Sequence, residues 1–413
     1  MTVQDATLAD AEHLLPEAVE VRRRIHRQPE IGLHLPKTQR VVAAELERIG
    51  LEPRLGNSIS SVTALIEGGR SGPTILLRAD MDALPLQEVT GLDFASDVAG
   101  VMHACGHDTH VAMLLAAARL LVERQADLPG RVLLMFQPGE EGYAGARSML
   151  DEGLLDVPDE RGFGPVTAAF AVHISTRYPS GAIRIRRGAQ MASSDVLTIR
   201  VNGRGGHASA PHLAVDPIVV AAEIIVALQT MVTRRIDPFD PAVVTIANVV
   251  AGTTNNIIPE TAFMKGTIRA VSEATRATVS VLVRQVAEGI AAAHGASVEV
   301  DVEPGYPVTV NDPAFTEWVE SVAAGLLGTD AVEPLPAPIM GSEDFSYVLQ
   351  RVPGAMAFLG GCPLDLDPLA APQNHSDRVI FDEAAMPVGI ALYAEVAIRH
   401  LRDAGAGGGA SLR

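Results

Sequence analysis

The 413-residue chain is 47% apolar and 20% charged, with a net charge of −18, 4% aromatic residues and two cysteines. Such acidity excludes nucleic acid or anionic membrane as the main partner, the scarcity of aromatic rings excludes a stacking platform for single strands, and two cysteines build no disulfide framework. The length exceeds one ordinary core and predicts two domains.

Helical spacing is read over residues 16–27 and 37–49, on either side of the proline-marked turn HRQPEIGLHLPKT. The opening residues show no basic region followed by an apolar run. The longest apolar segments are interrupted by Arg119 or by Asp216 and Glu223. The expectation is therefore a cytoplasmic chain with neither signal peptide nor membrane span. Two β-branched runs follow, SSVTALIEGG and PTILLRADMD, the second ending in Arg78, Asp80 and Asp82. Charges at the end of a buried strand are where an α/β sheet places its active site.

The octet HACGHDTH, residues 103–110, puts one cysteine and three histidines ahead of the helical run VAMLLAAARLLVE. Cys105 and His107 are close enough to reach one ion from a turn, and thiolate with imidazole suits zinc or another transition metal better than magnesium. The alternative is a buried small residue among packing histidines. A strand at 131–136 then leads through a glycine turn holding Glu140 and Glu141, and AAFAVHIS delivers His173. Strand, charged loop and helix recur, which predicts an α/β domain with a mostly parallel mixed sheet flanked by helices.

After about residue 190 the pattern becomes strand–helix–strand–strand–helix–strand, an α+β two-layer module with two helices over one sheet face. Within it GRGGHASAPH carries His207, GTTNNIIPE carries Asn255 and Asn256, and KGTIRA carries Arg269. His207 reads as an oxyanion donor or a turn histidine without a role. Arg269 reads as a carboxylate clamp or a surface ion pair. The helix 313–327, the acidic turn GSEDFSYVL, the strand GAMAFLGG, the loop with His375 and a helix at 383–401 close the chain before a glycine-rich tail. The expected organisation is a discontinuous domain, 1–190 with 305–413, interrupted by 191–304.

Cys105, His107, Glu141, His173 and His375 assemble into two metal shells that need a shared ligand, and sulfur is a candidate bridge. Two ions would activate a water and polarise a carbonyl or phosphoryl oxygen. Adjacent carboxylates in one turn point differently, so one of Glu140 and Glu141 can bind metal while the other takes a proton. A solvated acidic turn is the plain alternative. Asp82 could accept a bond from His107, Asp80 could pair with Arg78, and His103 and His110 read as supporting histidines. Ser342 lacks a nucleophile elbow, and Cys362 reads as structural.

In order and spacing, RADMDALP, HACGHDTHVAMLL, FQPGEEGYAGARSM, GRGGHASAPH, NNIIPE, GTIRA, GSEDFSY and NHSDRVIFDE resemble the M20 metallopeptidase family. The likeness is to its amidohydrolase branch of hippurate, N-acyl-amino-acid and auxin-conjugate hydrolases. That resemblance implies two divalent ions, zinc or manganese with cobalt or nickel as alternatives, on Cys105, His107, Glu141, His173 and His375, with Cys105 bridging. It implies Glu140 as general base, Asp82 orienting His107, His207 on the oxyanion, and Asn256 and Arg269 on the substrate carboxylate. The inserted domain would serve as lid and dimerisation module, giving a homodimer or homotetramer. The expected reaction is hydrolysis of a small N-acyl amino acid, with a carbamoyl-amide or dipeptide substrate as the alternative. Pro36 and Asn255 depart from the family pattern and bear on the acyl pocket.

Overall fold

The computed structural model describes residues 3–157 and 162–406. It divides into two compact units, one made of Met1–Gly188, Val310–Pro336 and Tyr347–Arg413, the other of Ala189–Thr309 and Ala337–Ser346. Segment 337–346 joins the smaller unit through main-chain bonds: Ala192 N–H donates to Ile339 O and Gly341 O, both at 2.9 Å.

The larger unit is built on an eight-stranded sheet in the order Arg54–Leu55, Val62–Glu67, Pro129–Gln137, Arg70–Asp80, Val166–Pro179, Gly354–Cys362, Ile183–Ile185, Val332–Pro334. The four strands from Pro129–Gln137 to Gly354–Cys362 run parallel. Antiparallel pairings carry the sheet outward on both sides, so it is mixed with a parallel centre. Continuous burial of Pro129–Gln137 and Gly354–Cys362 fits strands covered on both faces. The covering helices include Val3–His26, His107–Glu123 and Met386–Ala406, which pack on one another within one core.

The first helix begins at Val3 and runs through Pro16, where the sequence suggested a start. Proline in a helix interior removes a hydrogen bond. Ala11, Ala18, Val21 and Ile25 nevertheless keep one face buried along its length, and that packing carries the helix past the break. At the other end, Gly405 and Ala406 finish the last helix, while the remaining glycine-rich tail, 407–413, lies outside the described residues.

The smaller unit has a four-stranded antiparallel sheet, ordered Ala242–Ala251, Thr261–Ala270, Asp195–Asn202, Ser297–Glu303. Helices Pro217–Arg235 and Glu273–Ala293 cover one face and enclose an aliphatic core. Among the described residues Pro217–Arg235 is long and apolar enough, by length and composition, to cross a membrane. Of the two charges noted in the sequence, Asp216 is the N-cap, accepting from Ile218 N–H at 2.9 Å, and Glu223 lies within the helix on its exposed side. Here Val220, Ala221, Ile224, Leu228 and Met231 bury one side of the helix in the unit's core.

The first helix also fixes the turn that the octet forms. Arg22 Nε donates to Asp108 Oδ2 at 2.9 Å, His26 Nδ1 lies 2.8 Å from the same oxygen, and Arg22 and Arg23 both pair with Glu383. His26 Nε2 is 3.3 Å from Glu88 Oε2. Burial disfavours a charged imidazole there, but Asp108 and Glu88 outweigh it and push His26 up to about 9. A raised histidine stabilises the fold fully below its free value near 6.5, and that contribution is lost as pH rises through 9. Thermal stability should therefore decline between pH 6.5 and 9. In His26→Gln that decline should be shallower by on the order of 3 kcal/mol, which calorimetry at a series of pH values would measure.

Candidate metal centre

Cys105 and His107 face the same way because Gly106 turns the chain between them. Its φ of +87° suits glycine, and a Cβ there would meet Ile174 Cγ2 at 2.4 Å. Helix His107–Glu123 starts at once and is buried along most of its length, which holds the turn still.

Two imidazoles are locked by main-chain carbonyls. His107 Nδ1 is 2.8 Å from Asp82 O, and His173 Nδ1 is 2.8 Å from Ile174 O. A carbonyl only accepts, so Nδ1 carries the proton in both rings and Nε2 is left as the neutral ring's lone pair. His173 Nε2 is 3.5 Å from Cys105 Sγ, and His375 Nε2 is 3.1 Å from Glu141 Oε1.

The expected contact between Asp82 and His107 takes a different form. The main-chain carbonyl makes the shorter approach, while Asp82 Oδ1 stands 3.4 Å from Nδ1. The carboxylate instead accepts Glu140 N–H at 2.9 Å on one oxygen and Glu141 N–H at 3.0 Å on the other. Asp80 pairs with Arg78 at 2.7 Å and with His110 Nδ1 at 2.5 Å, and His110 Nε2 accepts Ile174 N–H at 2.7 Å. His110 thus supports two ligand-bearing segments. His103 is buried elsewhere, with neither ring nitrogen hydrogen-bonded, and burial pushes it down to about 3.

Candidate donor atoms within 4.8 Å of one another form the groups Cys105–His107–His173, Cys105–Glu141–His375 and His107–Glu140–Glu141. Cys105 belongs to the first two and Glu141 to the last two. The expected five ligands and Glu140 therefore converge, with sulfur between two subsets.

The donor set fits a pair of divalent cations. Sulfur, imidazole nitrogen and carboxylate oxygen are the atoms that zinc and its neighbours take. His107 Nε2 is buried and makes no hydrogen bond, an arrangement that is costly unless something else is bound. The surroundings also favour positive charge. Hydrogen bonds to Cys105 and Glu141 hold His375 up at about 10. Burial disfavours protonation of His107, yet Asp80 and Cys105 raise it well above the ordinary range.

In the smaller unit, His207 is exposed on the short strand Gly206–His207, which pairs with Ile257–Ile258. Its Nδ1 accepts Ser209 N–H at 3.1 Å and lies 2.7 Å from Ser209 Oγ. Ala208 N–H donates to Asn256 O at 3.1 Å, so His207 and Asn256 share one ribbon. Arg269 lies near the far end of Thr261–Ala270, whose first residue pairs with Asn202. Eight residues of strand separate Thr261 from Arg269, roughly 27 Å, so Arg269 does not join the ribbon. Arg269 Nη1 donates to Met340 O at 3.1 Å.

One supporting residue escaped the sequence reading. Asn374 bonds the main chain at both Cys105 and Ile174, and its only signal in the sequence is that it precedes His375.

Known proteins resemble the chain over most of its length. The chain is 39% identical to thermostable carboxypeptidase 2 of Saccharolobus solfataricus, over 92% of this chain and 94% of that one. It is 39% identical to N-acetylcysteine deacetylase of Bacillus subtilis, over 92% and 96%. The YXEP protein of Bacillus subtilis, described as a dinuclear metal binding peptidase, superposes with a TM-score of 0.81 at 35% identity, over 95% of this chain and 99% of that one. The model of peptidase family M20/M25/M40 matches residues 76–399, a span that includes every proposed ligand, and the chain belongs to that family.

Proposed function

We propose that the protein is a metal-dependent amidohydrolase that splits N-acyl amino acids into a carboxylic acid and a free amino acid. The observation that carries this reading is the five-donor cluster with Cys105 common to two subsets and Glu140 beside it. The deacetylase similarity supports the substrate class. Bound at Cys105, His107, Glu141, His173 and His375, two divalent ions (zinc or manganese, with cobalt or nickel as alternatives) would lower the pKa of water and polarise the acyl carbonyl.

The protein's own groups do the rest. Glu140 is buried, with Oε2 4.0 Å from His107 Nε2, and takes a proton from the attacking water before returning it to the departing amine nitrogen. Asp82 holds the Glu140–Glu141 turn so that one carboxylate serves as ligand and the other as base. His207 donates to the tetrahedral oxyanion. Arg269 is half-buried, burial lowers its pKa, and among the described residues its hydrogen-bond partner is a carbonyl, so it keeps donors for a substrate carboxylate. Asn256 assists from the ribbon.

The separation of Arg269 from His207 supports a homodimer in which the ribbon of one subunit serves the other's centre. Ala242–Ala251 is an open sheet edge with Val243, Val249 and Val250 exposed, and Ile218, Val219 and Val226 are exposed on Pro217–Arg235. Such an apolar edge and helix face suit burial against a second copy, with a tetramer as a further assembly. Both cysteines are free, which suits a reducing cytoplasm. The carboxypeptidase similarity favours a second reading, cleavage of a peptide or carbamoyl amide by the same centre. A panel of N-acetyl, N-benzoyl and indole-acyl amino acids beside dipeptides and N-carbamoyl amino acids decides between them.

Glu140→Gln should keep both ions by elemental analysis and lose about 10²-fold or more in kcat, and full turnover in the loaded variant rejects the base assignment. Cys105→Ala should lower the ion count per chain, whereas an unchanged count removes sulfur from the centre. Mixing His207→Ala with Arg269→Ala subunits should restore part of the activity that each lacks alone, since one site of the mixed dimer is whole. No restoration argues for action within one chain.

A further inference from the structure

The side chain of Asn374 joins three of the segments carrying proposed ligands. Its Nδ2 donates to Cys105 O at 3.1 Å and to Ile174 O at 3.0 Å, and its Oδ1 accepts Thr176 N–H at 3.3 Å. The orientation of the carboxamide follows from these partners, because a flipped group would set its oxygen against two carbonyls. Cys105 lies on the octet turn, Ile174 follows His173, and His375 is the next residue.

The main chain at His375 is unusual. Its φ is +69°, a left-handed conformation that a residue with a Cβ rarely adopts and keeps only when its surroundings impose it. The imidazole does not impose it by burial, since the side chain is 54% exposed. That conformation is held by the bond from His375 N–H to Ala104 O at 2.8 Å, by the contact of His375 Nε2 with Glu141 Oε1 at 3.1 Å, and by the anchored carboxamide of Asn374. Thr176 Oγ1 also donates to Pro372 O at 2.8 Å, a further tie between the strand of His173 and the loop of His375.

We propose that Asn374 is a positioning residue that holds His375 in its left-handed conformation and sets that imidazole against Cys105 and Glu141. The inference rests on the metal-centre reading above, and it assigns Asn374 to one half of that centre. His107 has a lock of its own at Asp82 O, whereas Ile174 O serves both His173 Nδ1 and Asn374 Nδ2, and Asn374 Nδ2 stands 3.9 Å from Cys105 Sγ. The ion bound through Glu141 and His375 depends on Asn374 most, because its imidazole ligand is the next residue in the chain.

The test is a titration of the metal-free full-length chain with Co²⁺, read by sulfur-to-cobalt absorption and by calorimetry, on the parent, Asn374→Ala and Asn374→Asp. Aspartate keeps the shape but replaces the two-donor nitrogen with an oxygen facing two carbonyls, and it serves if alanine fails to fold. The expected result is about 10- to 100-fold weaker binding of the second ion, with a clearly smaller loss for the first. The melting temperature of the metal-free variant should stay near that of the parent. Two ions bound with parent affinities by either variant overturn the proposal. So does equal weakening of both ions with a matching fall in metal-free melting temperature, the signature of a merely structural staple. A parent that does not bind two ions overturns the metal-centre reading itself, a result distinct from either.

Discussion

The centre depends on how Asp82 is bonded. Both carboxylate oxygens are occupied by consecutive main-chain N–H groups, those of Glu140 and Glu141, while the carbonyl of the same residue fixes His107. One buried residue just past the Arg70–Asp80 strand therefore sets the proposed base, one carboxylate ligand and one imidazole ligand relative to each other. A charged acceptor makes these bonds stronger than a neutral one would. Asparagine could not replace it, because its amide nitrogen would face an N–H.

Two residues earlier, Asp80 shows how the fold keeps a potential ligand out of the metal shell. Its oxygens lie close enough to His107 and His110 to form another candidate cation group, and its Oδ2 is 3.5 Å from His107 Nε2. Yet one oxygen is taken by Arg78 and the other by His110, whose far nitrogen accepts the amide N–H beside His173. The carboxylate is spent on structure. Burial opposes its charge, but Arg78 and the two histidines hold Asp80 well below the usual carboxylate range. A charge confined in this way adds negative potential next to the centre without adding a ligand.

How much of this was legible in the chain follows from the range of each interaction. The octet, the paired glutamates and the charged ends of apolar runs are local patterns, and the structure brings them together at the carboxyl ends of parallel strands, as α/β sheets do. The four-stranded module was legible for the same reason, since alternation and helical spacing are properties of short windows. The mixed sheet with a parallel centre was expected, whereas the order of its strands depends on pairing between distant segments. Pro16 misled because a local helix-start rule competes with burial of a whole face. Asp82 was singled out as a partner of His107, but no sequence pattern chooses between its carboxylate, at 3.4 Å, and its carbonyl, at 2.8 Å. Asn374 left almost no trace, because its partners are main-chain atoms and any residue supplies those.

The carboxamide of Asn374 and the carbonyl of Cys105 are 269 residues apart in the chain. On a growing polypeptide such a contact waits until the later of its two residues has been made. A chain emerging from the ribosome as far as His173 already contains four of the five proposed ligands, yet the final imidazole arrives only with the closing strand and helix of the larger unit. Complete metal loading is then a marker of finished folding, and a chain cut short before residue 375 would hold a lopsided, weaker site. The order of the ligands along the polypeptide thus delays a reactive centre until the fold that restrains it is in place.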